Sequence, residues 1–599
     1  MSHHDSHIWQ RDLDRGEFRL LRLFPEEPLR CEFIISVIND PPPYTAVSYA
    51  WGDLDYSCKV EVDGSSLAIT SSLHGALNAL RSSQQEPILV WADAVCIRQH
   101  HKLEQSQQVR MMARIYSQAE SVAIWLGPEL NNSCLALELL SIVSGHSPSS
   151  DGLVGLLEST EWQPHFRAVV DLFEREYWRR VWVVQEVSNA RKIMVHCGDS
   201  ALPWQTYASA SEVFRRNRGN LVYHFPIISP NGTRSSLSRQ RIAYVDVLCS
   251  KGPASLQIAG SARGSPQALL DIFRACRAKL ASDPRDKIYG VLGAQKKDPE
   301  KQLISIDYSY SAKKVYVNTA KSILEATQKL DIVCDAIHYP LHRASFQLPS
   351  WVPDWSCSLD VDSIGSMLNS CAAGSTDAEF KVTGDQHERL EMSAVYLDTI
   401  ERTGVALAAP CSCDEPLMAF LHWRAKLCQV FDPYQLGSRS QNAQEAFCRT
   451  LCFGQNSQSK WREPRQWMAM CCHVFGSLLR QRLPWLPLDS QLLEYADRDM
   501  SLSSGDCAKV LQDLCLRPMT GRRFFMTRSG LLGMGSGNLE VGDEVSVPLG
   551  SKTPVIVRQE GDGCDYRFVG DAYVDGYMNG KAIHDWKHRH LELKHYVLC

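Results

Sequence analysis

Residues 87–127 read PILVWADAVCIRQHHKLEQSQQVRMMARIYSQAESVAIWLG, and they decide the fold of the N-terminal part of this chain. Ile88–Ala92 is a short apolar run without polar alternation, which is typical of a strand buried on both faces of a sheet. From Leu103 onward, apolar residues recur at three- and four-residue steps and predict an amphipathic helix. Val122–Leu126 is apolar again and stops at Gly127. The pattern predicts two parallel strands that lie side by side, joined by a right-handed crossover helix.

The carboxyl ends of these strands are where a ligand is expected. In open α/β sheets, ligands bind outside the carboxyl ends of the strands. In this chain those positions hold Asp93 after the first strand and Gly127 after the second. A further strand, YTAVSYAW at 44–51, ends in a tight turn at Gly52 and is predicted to neighbour the strand that begins at Ile88. The sequence therefore predicts an α/β domain with a mostly parallel sheet and a site at the strand ends.

The most unusual local sequence is YWRRVWVVQEV at 177–187, in which aromatic residues and valines surround a single acid, Glu186. Trp182 lies four positions earlier, on the same face of a helix. A carboxylate in such surroundings is expected to be partly buried or paired. An ion pair with Arg179 or Arg180 that only stabilises the fold is the alternative to a chemical role.

Composition bounds the class of protein. A chain of 599 residues is too long for one core and predicts three or four structural units. The net charge of -5 argues against a nucleic-acid or acidic-membrane partner held by bulk electrostatics. No stretch reaches eighteen apolar residues, and the polar N-terminus lacks the apolar core of a signal peptide. These features predict a cytoplasmic protein without a membrane span.

The 21 cysteines are expected to be reduced in that compartment. Cys411-Ser-Cys413, Cys448-x3-Cys452 and Cys471-Cys472-His473 are the closest approach to ligand spacing, but they form no paired CxxC set of the kind that holds zinc. The prediction is therefore that no metal is bound and that the thiols serve as small buried hydrophobes.

The chain divides by composition into three predicted domains. Residues 1–215 form the α/β domain, and a boundary is placed in the Asn-, Gly-, Pro- and Ser-rich stretch that follows. Residues 216–500 are predicted to be mainly helical with irregular loops. Residues 501–599 show short strands with glycine turns, which predict a small β-barrel or sandwich. Within them GMGSG at 533–537 resembles a phosphate loop only superficially and is predicted to be a turn.

Four sequence blocks resemble those of fungal heterokaryon incompatibility (HET) domains, and they occur in the order found in that family. The blocks are YTAVSYAWGD at 44–53, WADAVCIRQ at 91–99, QVRMMARIYSQAESVAIWLG at 108–127 and WRRVWVVQE at 178–186. The HET domain is similar to TIR domains, so the resemblance implies a flavodoxin-like, TIR-like sheet. It also implies a role in fungal allorecognition, in which non-self recognition triggers programmed cell death as a form of innate immunity.

The resemblance to TIR domains further implies a chemistry. Some TIR domains cleave NAD with a glutamate in a Trp-Cys-x-x-Glu motif, and Trp182-Val-Val-Gln-Glu186 keeps the interval with valine in place of cysteine. NAD is thus a candidate substrate, with no prosthetic group expected. Glu186 would be the catalytic acid that stabilises positive charge on the ribose when the nicotinamide bond breaks.

The same resemblance implies roles for the residues at the strand ends. Trp51 or Trp182 would flank the nicotinamide ring. Turns at Gly52 and Gly127 would bring phosphates close to backbone N–H groups, and Asp93 would orient a hydroxyl. The structural alternatives are that the tryptophans pack in the core and that Asp93 accepts hydrogen bonds from the backbone of the following loop.

Other functions remain open at this point. The main competitor is a non-enzymatic adaptor that acts by self-association and by binding a protein partner in non-self recognition. A diverged paralogue without death activity is the third option. Cys96 with His100 or His101 could belong to a cysteine hydrolase, but adjacency in sequence does not supply the geometry of a thiolate and its base.

Overall fold

In the computed structural model, the described residues are 8–9, 11–52, 56–82, 85–145, 151–218, 220–221, 243–256, 266–294, 303–337, 347–357, 361–385, 388–408, 414–431, 438–455, 464–500, 507, 510–561 and 565–599. The chain forms two compact units, Met1–Ser311 and Ala312–Cys599. Each unit contains its own β-sheet.

The first unit is built on a mixed sheet of nine strands. The strands are β1 (Glu17–Leu23), β2 (Arg30–Val37), β3 (Thr45–Tyr49), β4 (Cys58–Val62), β5 (Ser65–Ile69), β6 (Ile88–Trp91), β7 (Ser121–Trp125), β8 (Ile193–Cys197) and β9 (Ser200–Pro203). Their order across the sheet is β5-β4-β2-β1-β6-β3-β7-β8-β9. The expectation of a mostly parallel sheet is confirmed only in part, because the sheet is mixed: its centre and the β2–β4 pair are parallel, and its other pairs are antiparallel. Strand β1 pairs antiparallel with both β2 and β6, and two short hairpins, β4–β5 and β8–β9, add antiparallel strands at the edges.

The centre of this sheet is parallel and consists of β6, β3, β7 and β8. Strand β3 is the neighbour of β6, as predicted, with Thr45 opposite Val90. The predicted pairing of β6 with β7 is wrong, because β3 lies between them and pairs with β7 on its other side, Ser48 opposite Ile124. The order in which the strands are added to the sheet therefore reverses at β3, with β6 on one side of it and β7 on the other. Such a reversal opens a crevice at the carboxyl ends of the strands. The flavodoxin- or TIR-like assignment of this sheet stays a prediction.

Helices cover the sheet of the first unit. They are α1 (Ser71–Arg81), α2 (Asp93–Cys96), α3 (Lys102–Gln118), α4 (Ser133–Ser144), α5 (Asp151–Glu158), α6 (Gln163–Phe173), α7 (Val183–Asn189), α8 (Trp204–Arg216), α9 (Pro266–Cys276) and α10 (Asp286–Leu292). Helix α3 is the predicted crossover. It buries Val109, Met112 and Tyr116, and the Tyr116 hydroxyl donates to the carbonyl of Val47 in β3 at 3.0 Å. Packing of that face against the sheet fixes the position of β3.

The first unit continues well beyond residue 215. The backbone N–H of Val181 donates to the carbonyl of Leu280 at 2.9 Å. The amide of Asn189 donates to the carbonyl of Gly293 at 2.9 Å. Further along, the Arg110 guanidinium donates to the carbonyl of Ile306 at 3.0 Å. Residues 266–294 and 303–308 therefore hold helices α3 and α7 in place. The predicted domain limits of 1–215, 216–500 and 501–599 stay predictions.

The second unit begins with helices, as the sequence predicted for the middle region. They are α11 (Ala312–Thr327), α12 (Ile364–Met367), α13 (Glu415–Cys428), α14 (Ser438–Leu451), α15 (Pro464–Arg482) and α16 (Ser490–Asp497). A π-helical turn (Leu511–Leu516) and the short α17 (Arg517–Met519) follow, and α18 (Lys581–Lys587) lies near the C-terminus. Helices α13, α14 and α15 share one apolar core with strands of the second sheet.

The second sheet closes on itself. Its strands are β10 (Phe380–Thr383), β11 (Arg389–Ala406), β12 (Arg522–Thr527), β13 (Leu532–Ser536), β14 (Glu544–Pro548), β15 (Val555–Gln559), β16 (Asp565–Val574) and β17 (Glu592–Leu598). Strand β11 pairs with β14 through Ala394–Thr399 and with β12 through Ile400–Ala406. The ring β11-β12-β13-β16-β15-β14 is thereby complete, which leaves none of its six members as an open edge. Strand β11 lies in the region that the sequence pattern predicted to be mainly helical.

GMGSG at 533–537 is not a turn, because its first four residues belong to strand β13. Gly533 and Gly535 lie in close contact with neighbouring residues, so a larger side chain would not fit at either position. A Cβ at Gly533 would lie 2.3 Å from Cζ of Phe525, and one at Gly535 would lie 2.5 Å from Cδ1 of Ile556. Neighbouring side chains fill the room that a larger residue would need, which explains glycines inside a strand.

Candidate functional site

Asp93 collects hydrogen bonds at the carboxyl end of β6. Its Oδ1 accepts from the Tyr49 hydroxyl at 2.9 Å and from the backbone N–H of Ala94 at 2.8 Å. Its Oδ2 accepts from Nε1 of Trp51 at 3.1 Å. Asp93 is the first residue of α2, so one carboxylate joins the ends of β3 and β6. Trp51 and Asp93 lie close together, as predicted. The backbone hydrogen bond from Ala94 to Asp93, which the structural alternative predicted, is also present.

Glu186 lies in the first turn of α7, next to Ser48 of β3, and is only 2% exposed. Its Oε2 accepts a short hydrogen bond from the Ser48 hydroxyl in β3. The Ser48 oxygen is also 2.8 Å from the Tyr177 hydroxyl. Arg180 donates to the carbonyl of Tyr49. We call Ser48, Tyr177, Arg180 and Glu186 the acid cluster.

Burial raises the pKa of Glu186 to about 7, and the charge of Asp93 adds to this rise. The charge of Arg180 and the hydrogen bond from Ser48 oppose it. The pKa of this carboxyl group therefore lies near neutral pH. A buried acid whose pKa lies near the working pH can hold or release a proton there, which is common at functional sites.

A cavity of about 140 Å³ opens beside the strand ends. Its lining residues come from β3, β5, α2 and the loops next to them: Tyr49, Trp51, Tyr56, Ala68, Ile69, Thr70, Ala94, Gln99 and His100. Asp93 is not one of these lining residues, but its carboxylate accepts hydrogen bonds from two of them, Tyr49 and Trp51. Glu186 is not one of the lining residues among those described. Gly52 follows Trp51 with a φ of +69°, a conformation that favours glycine.

Gly127 and Trp182 are directed to other partners. Gly127 adopts a φ of +105°, and its carbonyl accepts from the N–H of Gly198 at 3.0 Å. The Arg175 guanidinium covers this turn by donating to the carbonyls of Leu126 and Pro128, at 2.9 and 3.1 Å. The Arg175 guanidinium therefore already occupies the turn at Gly127. The role of Gly127 as a phosphate site stays a prediction.

Trp182 precedes the first residue of α7 and donates from Nε1 to Oδ2 of Asp286 at 3.0 Å. Asp286 also accepts from the Tyr308 hydroxyl at 2.6 Å, and burial raises the pKa of this acid to about 6. Trp182 thus anchors α7 to the segment around residue 286, whereas Trp51 lies beside the cavity. Of the two tryptophans, Trp51 has the position from which it could contact a ligand ring.

The geometry gives no support to a cysteine hydrolase at Cys96. This thiol is fully buried, and burial raises its pKa to about 12, so it is protonated at neutral pH. Nδ1 of His101 is already engaged by the N–H of Glu104 at 3.2 Å. Over the described ranges, no group of three or more His, Cys, Asp or Glu side chains is arranged to hold a metal ion. Cys411 and Cys413 lie outside those ranges.

The sequence analysis missed Ser48, Tyr49 and Tyr177 as members of the site. Each had a signal that could have been used. Ser48 is a lone hydroxyl inside the buried strand TAVSY, and such a group needs a hydrogen-bonding partner. Tyr49 lies in the predicted buried strand YTAVSYAW and Tyr177 opens the aromatic stretch YWRRVWVVQEV, so their hydroxyl groups carry the same requirement.

Comparisons with known proteins agree with this architecture. Residues 44–186, which contain β3, β6, β7 and the acid cluster, match the family described as Heterokaryon incompatibility protein (HET). Residues 495–593, which contain most of the closed sheet, match the Het-6 beta-barrel domain. The chain therefore resembles HET-domain proteins in its first unit and Het-6 β-barrel domains in its second.

The whole chain is similar to one particular protein, the heterokaryon incompatibility protein 6, OR allele, of Neurospora crassa. The two sequences are 24% identical over 94% of each chain. No solved structure matches the chain. No helix within the described residues is long and apolar enough to cross a membrane.

Proposed function

We propose that this protein acts in fungal heterokaryon incompatibility, where it triggers programmed cell death after non-self recognition. The observation that carries this proposal is the similarity over 94% of both chains to a heterokaryon incompatibility protein. The effector is the first unit, because the HET match falls on it. The protein acts in the cytoplasm through self-association and a protein partner.

The chemical part of the proposal is that the HET domain cleaves NAD. The bond between nicotinamide nitrogen and C1′ of the ribose breaks, and its electron pair leaves with the nicotinamide. Positive charge then develops on the ribose, and water attacks C1′ with loss of a proton. A fixed carboxylate beside the ribose stabilises that charge. The Glu186 carboxyl group, with a pKa of about 7 close to the strand ends, is suited to this role.

Catalysis requires the acid cluster to open. Pockets for small molecules usually span roughly 300–1,000 Å³, whereas the cavity beside Trp51 holds about 140 Å³. Glu186 is 2% exposed and bonded to Ser48, so it does not contact a molecule placed in that cavity. We therefore propose that the described state is a resting state. Assembly of HET domains separates α7 from β3 and brings Glu186 to the ribose.

The adaptor is the competing function, and the closed geometry of the acid cluster favours it. A buried acid that accepts a hydrogen bond from Ser48 is sufficiently explained as a polar link between α7 and β3. In this case the HET domain kills by recruiting another protein, and no NAD is consumed. The two functions differ in whether the carboxylate of Glu186 is needed.

Expression of the full chain in a fungal host tests both functions. Wild-type protein is expected to stop growth and to lower cellular NAD before viability falls. Glu186→Gln keeps the size and hydrogen-bonding capacity of the side chain and removes its charge, so it should abolish both effects. Glu32→Gln is the matched control, because Glu32 is a half-exposed residue of β2 that pairs with Arg22 at 3.6 Å.

Each outcome separates the alternatives. Death without loss of NAD, equal for wild type and Glu186→Gln, would reject cleavage and retain the adaptor. Absence of death with well-expressed wild-type protein in an incompatible host would reject the cell-death role and leave the diverged paralogue.

A further inference from the structure

Three aromatic residues line the cavity at the carboxyl end of β3. Tyr49 is the last residue of β3, Trp51 follows it, and Tyr56 lies shortly before β4. Ile69 and Ala94 add apolar surface to the same lining. We call Tyr49, Trp51 and Tyr56 the aromatic cage. With a volume of about 140 Å³, the cavity has room for one small ring or one trimethylated group, because a cavity of roughly 150 Å³ accommodates benzene.

The polar groups of this lining are already engaged inside the protein. The Tyr49 hydroxyl donates to Oδ1 of Asp93 at 2.9 Å, and Nε1 of Trp51 donates to Oδ2 at 3.1 Å. The Thr70 hydroxyl caps the N-terminus of α1. The Gln99 amide donates to the carbonyl of Asp93 at 2.9 Å. A primary ammonium ion needs acceptors for its N–H groups, whereas a cation whose charge is surrounded by carbon needs none.

The carboxylate next to the aromatic cage favours a positively charged ligand. Asp93 accepts from two of the three cage residues, and these hydrogen bonds polarise the phenol and the indole. The faces of Trp and Tyr rings attract cations, and the attraction grows when water is excluded. Arg180 is a cation near the same strand end, but it donates to the backbone carbonyl of Tyr49. The aromatic cage therefore combines electron-rich rings with a negative charge close behind them.

The aromatic cage and the acid cluster lie on opposite faces of the first sheet. Ser48 and Tyr49 are adjacent in β3, and successive side chains of a strand point to opposite faces. Ser48 donates to Glu186, whereas Tyr49 lines the cavity. The cavity can therefore be filled while Glu186 stays buried, and its ligand need not be the molecule that is cleaved at Glu186.

We propose that the aromatic cage binds a small organic cation whose charge is surrounded by carbon. Quaternary ammonium groups and N-alkylated pyridinium rings share this chemistry. The rings of the aromatic cage attract the cation, Asp93 strengthens the attraction, and Ile69 and Ala94 exclude water from it. This binding goes beyond the proposed function, because it takes place in the resting state and does not involve Glu186.

Ligand-observed NMR titrations of the full-length protein, without NAD, test this proposal. The probes are tetramethylammonium, 1-methylnicotinamide, the neutral ring nicotinamide and the primary ion methylammonium. We expect the better of the first two to bind at least about tenfold more tightly than nicotinamide or methylammonium. Tighter binding of tetramethylammonium would identify a quaternary ammonium ligand, and tighter binding of 1-methylnicotinamide would identify a pyridinium ligand.

Variants of the aromatic cage locate the binding. Trp51→Leu and Tyr56→Leu each remove one ring and should weaken binding of the preferred cation at least about fivefold. Tyr56→Phe keeps the ring and should retain binding. Trp162→Leu is the control, because it removes a partly exposed tryptophan that packs against His165 at 4.5 Å instead of lining the cavity.

Three results would overturn the proposal. The first is that neither tetramethylammonium nor 1-methylnicotinamide binds. The second is that nicotinamide binds as tightly as 1-methylnicotinamide, which would show that the charge plays no part. The third is that Trp51→Leu and Tyr56→Leu, both folded, bind the cation as tightly as the wild type, which would place its site elsewhere.

Discussion

Glu186→Gln should make the first unit more stable, and the gain should depend on pH. The folded chain raises the pKa of Glu186 from 4.5 to about 7, so folding disfavours the ionised carboxylate. Below pH 4.5 the group is protonated in both the folded and the unfolded chain and has no effect on stability. Between pH 4.5 and pH 7 the unfolded chain loses its proton first, and the stability of the wild-type protein falls.

The size of the effect follows from the pKa difference. Each unit of difference corresponds to about 1.4 kcal/mol, so the rise from 4.5 to about 7 costs about 3 kcal/mol at pH 8. Glutamine has no charge to lose and can still accept a hydrogen bond from Ser48. The variant should therefore match the wild type near pH 4.5 and exceed it by about 3 kcal/mol at pH 8.

Urea unfolding read by pulsed hydrogen exchange of peptides from β3 and α7 measures this difference in the first unit alone. The free energy of unfolding should be compared at pH 4.5, 6 and 8. Glu32→Gln serves as the control and should show no trend of this size, because Glu32 is about half exposed. A pH-independent difference between wild type and Glu186→Gln, or a loss of stability in the variant at pH 8, would refute the reasoning. Either result would mean that Glu186 is held ionised by Arg180.

Three further predictions concern stability. Glu104→Ala should destabilise the first unit by about 3–5 kcal/mol in urea unfolding, because Arg19, which lies 2.5 Å away and is 3% exposed, would keep a buried charge without its partner. Gly533→Ala should cost about 1–3 kcal/mol in thermal unfolding, because the added methyl group has no room. A fragment of residues 1–215 should be cut by protease faster than one of residues 1–311, because it lacks the segment that binds Trp182 and Val181.

Matched controls keep these three predictions specific. Replacing both Arg19 and Glu104 by apolar residues of similar volume should recover most of the loss, whereas no recovery would show that the pair itself is not the cause. Gly155→Ala should be neutral or slightly stabilising, because nothing lies within 4 Å of the added Cβ. Equal protease resistance of the two fragments would show that the first unit does not need residues 216–311.

Local sequence determined most of the elements of the first unit. Strand β6, helix α3 and strand β7 occur where residues 87–127 placed them, because a short apolar run and a helical period are local signals. Pairing is not local, so the insertion of β3 between β6 and β7 could not be obtained from either strand alone. Strand β11 was missed for a related reason. Its 18 residues pair with four strands, β10, β12, β14 and β17, with register shifts along the way, and the alternation expected of a short strand is lost.

The candidate site was predictable only in part. Trp51 and Asp93 were both predicted to lie at the carboxyl ends of neighbouring strands, and their side chains are hydrogen bonded. The position of Glu186 depends on how α7 is oriented, and that orientation is set by the hydrogen bond of Trp182 to Asp286, a hundred residues away in sequence. The pattern around Glu186 predicted a partly buried or paired acid, and the side chain is in fact 2% exposed. It could not identify Ser48 as the partner.

The most direct test of the account is release of nicotinamide from NAD by the purified full-length protein at pH 7, measured for wild type and Glu186→Gln. The account predicts that wild-type protein, once induced to self-associate by a crowding agent, releases nicotinamide and that the variant does not. No release by the assembled wild type, or equal release by both proteins, would contradict the proposed role of Glu186.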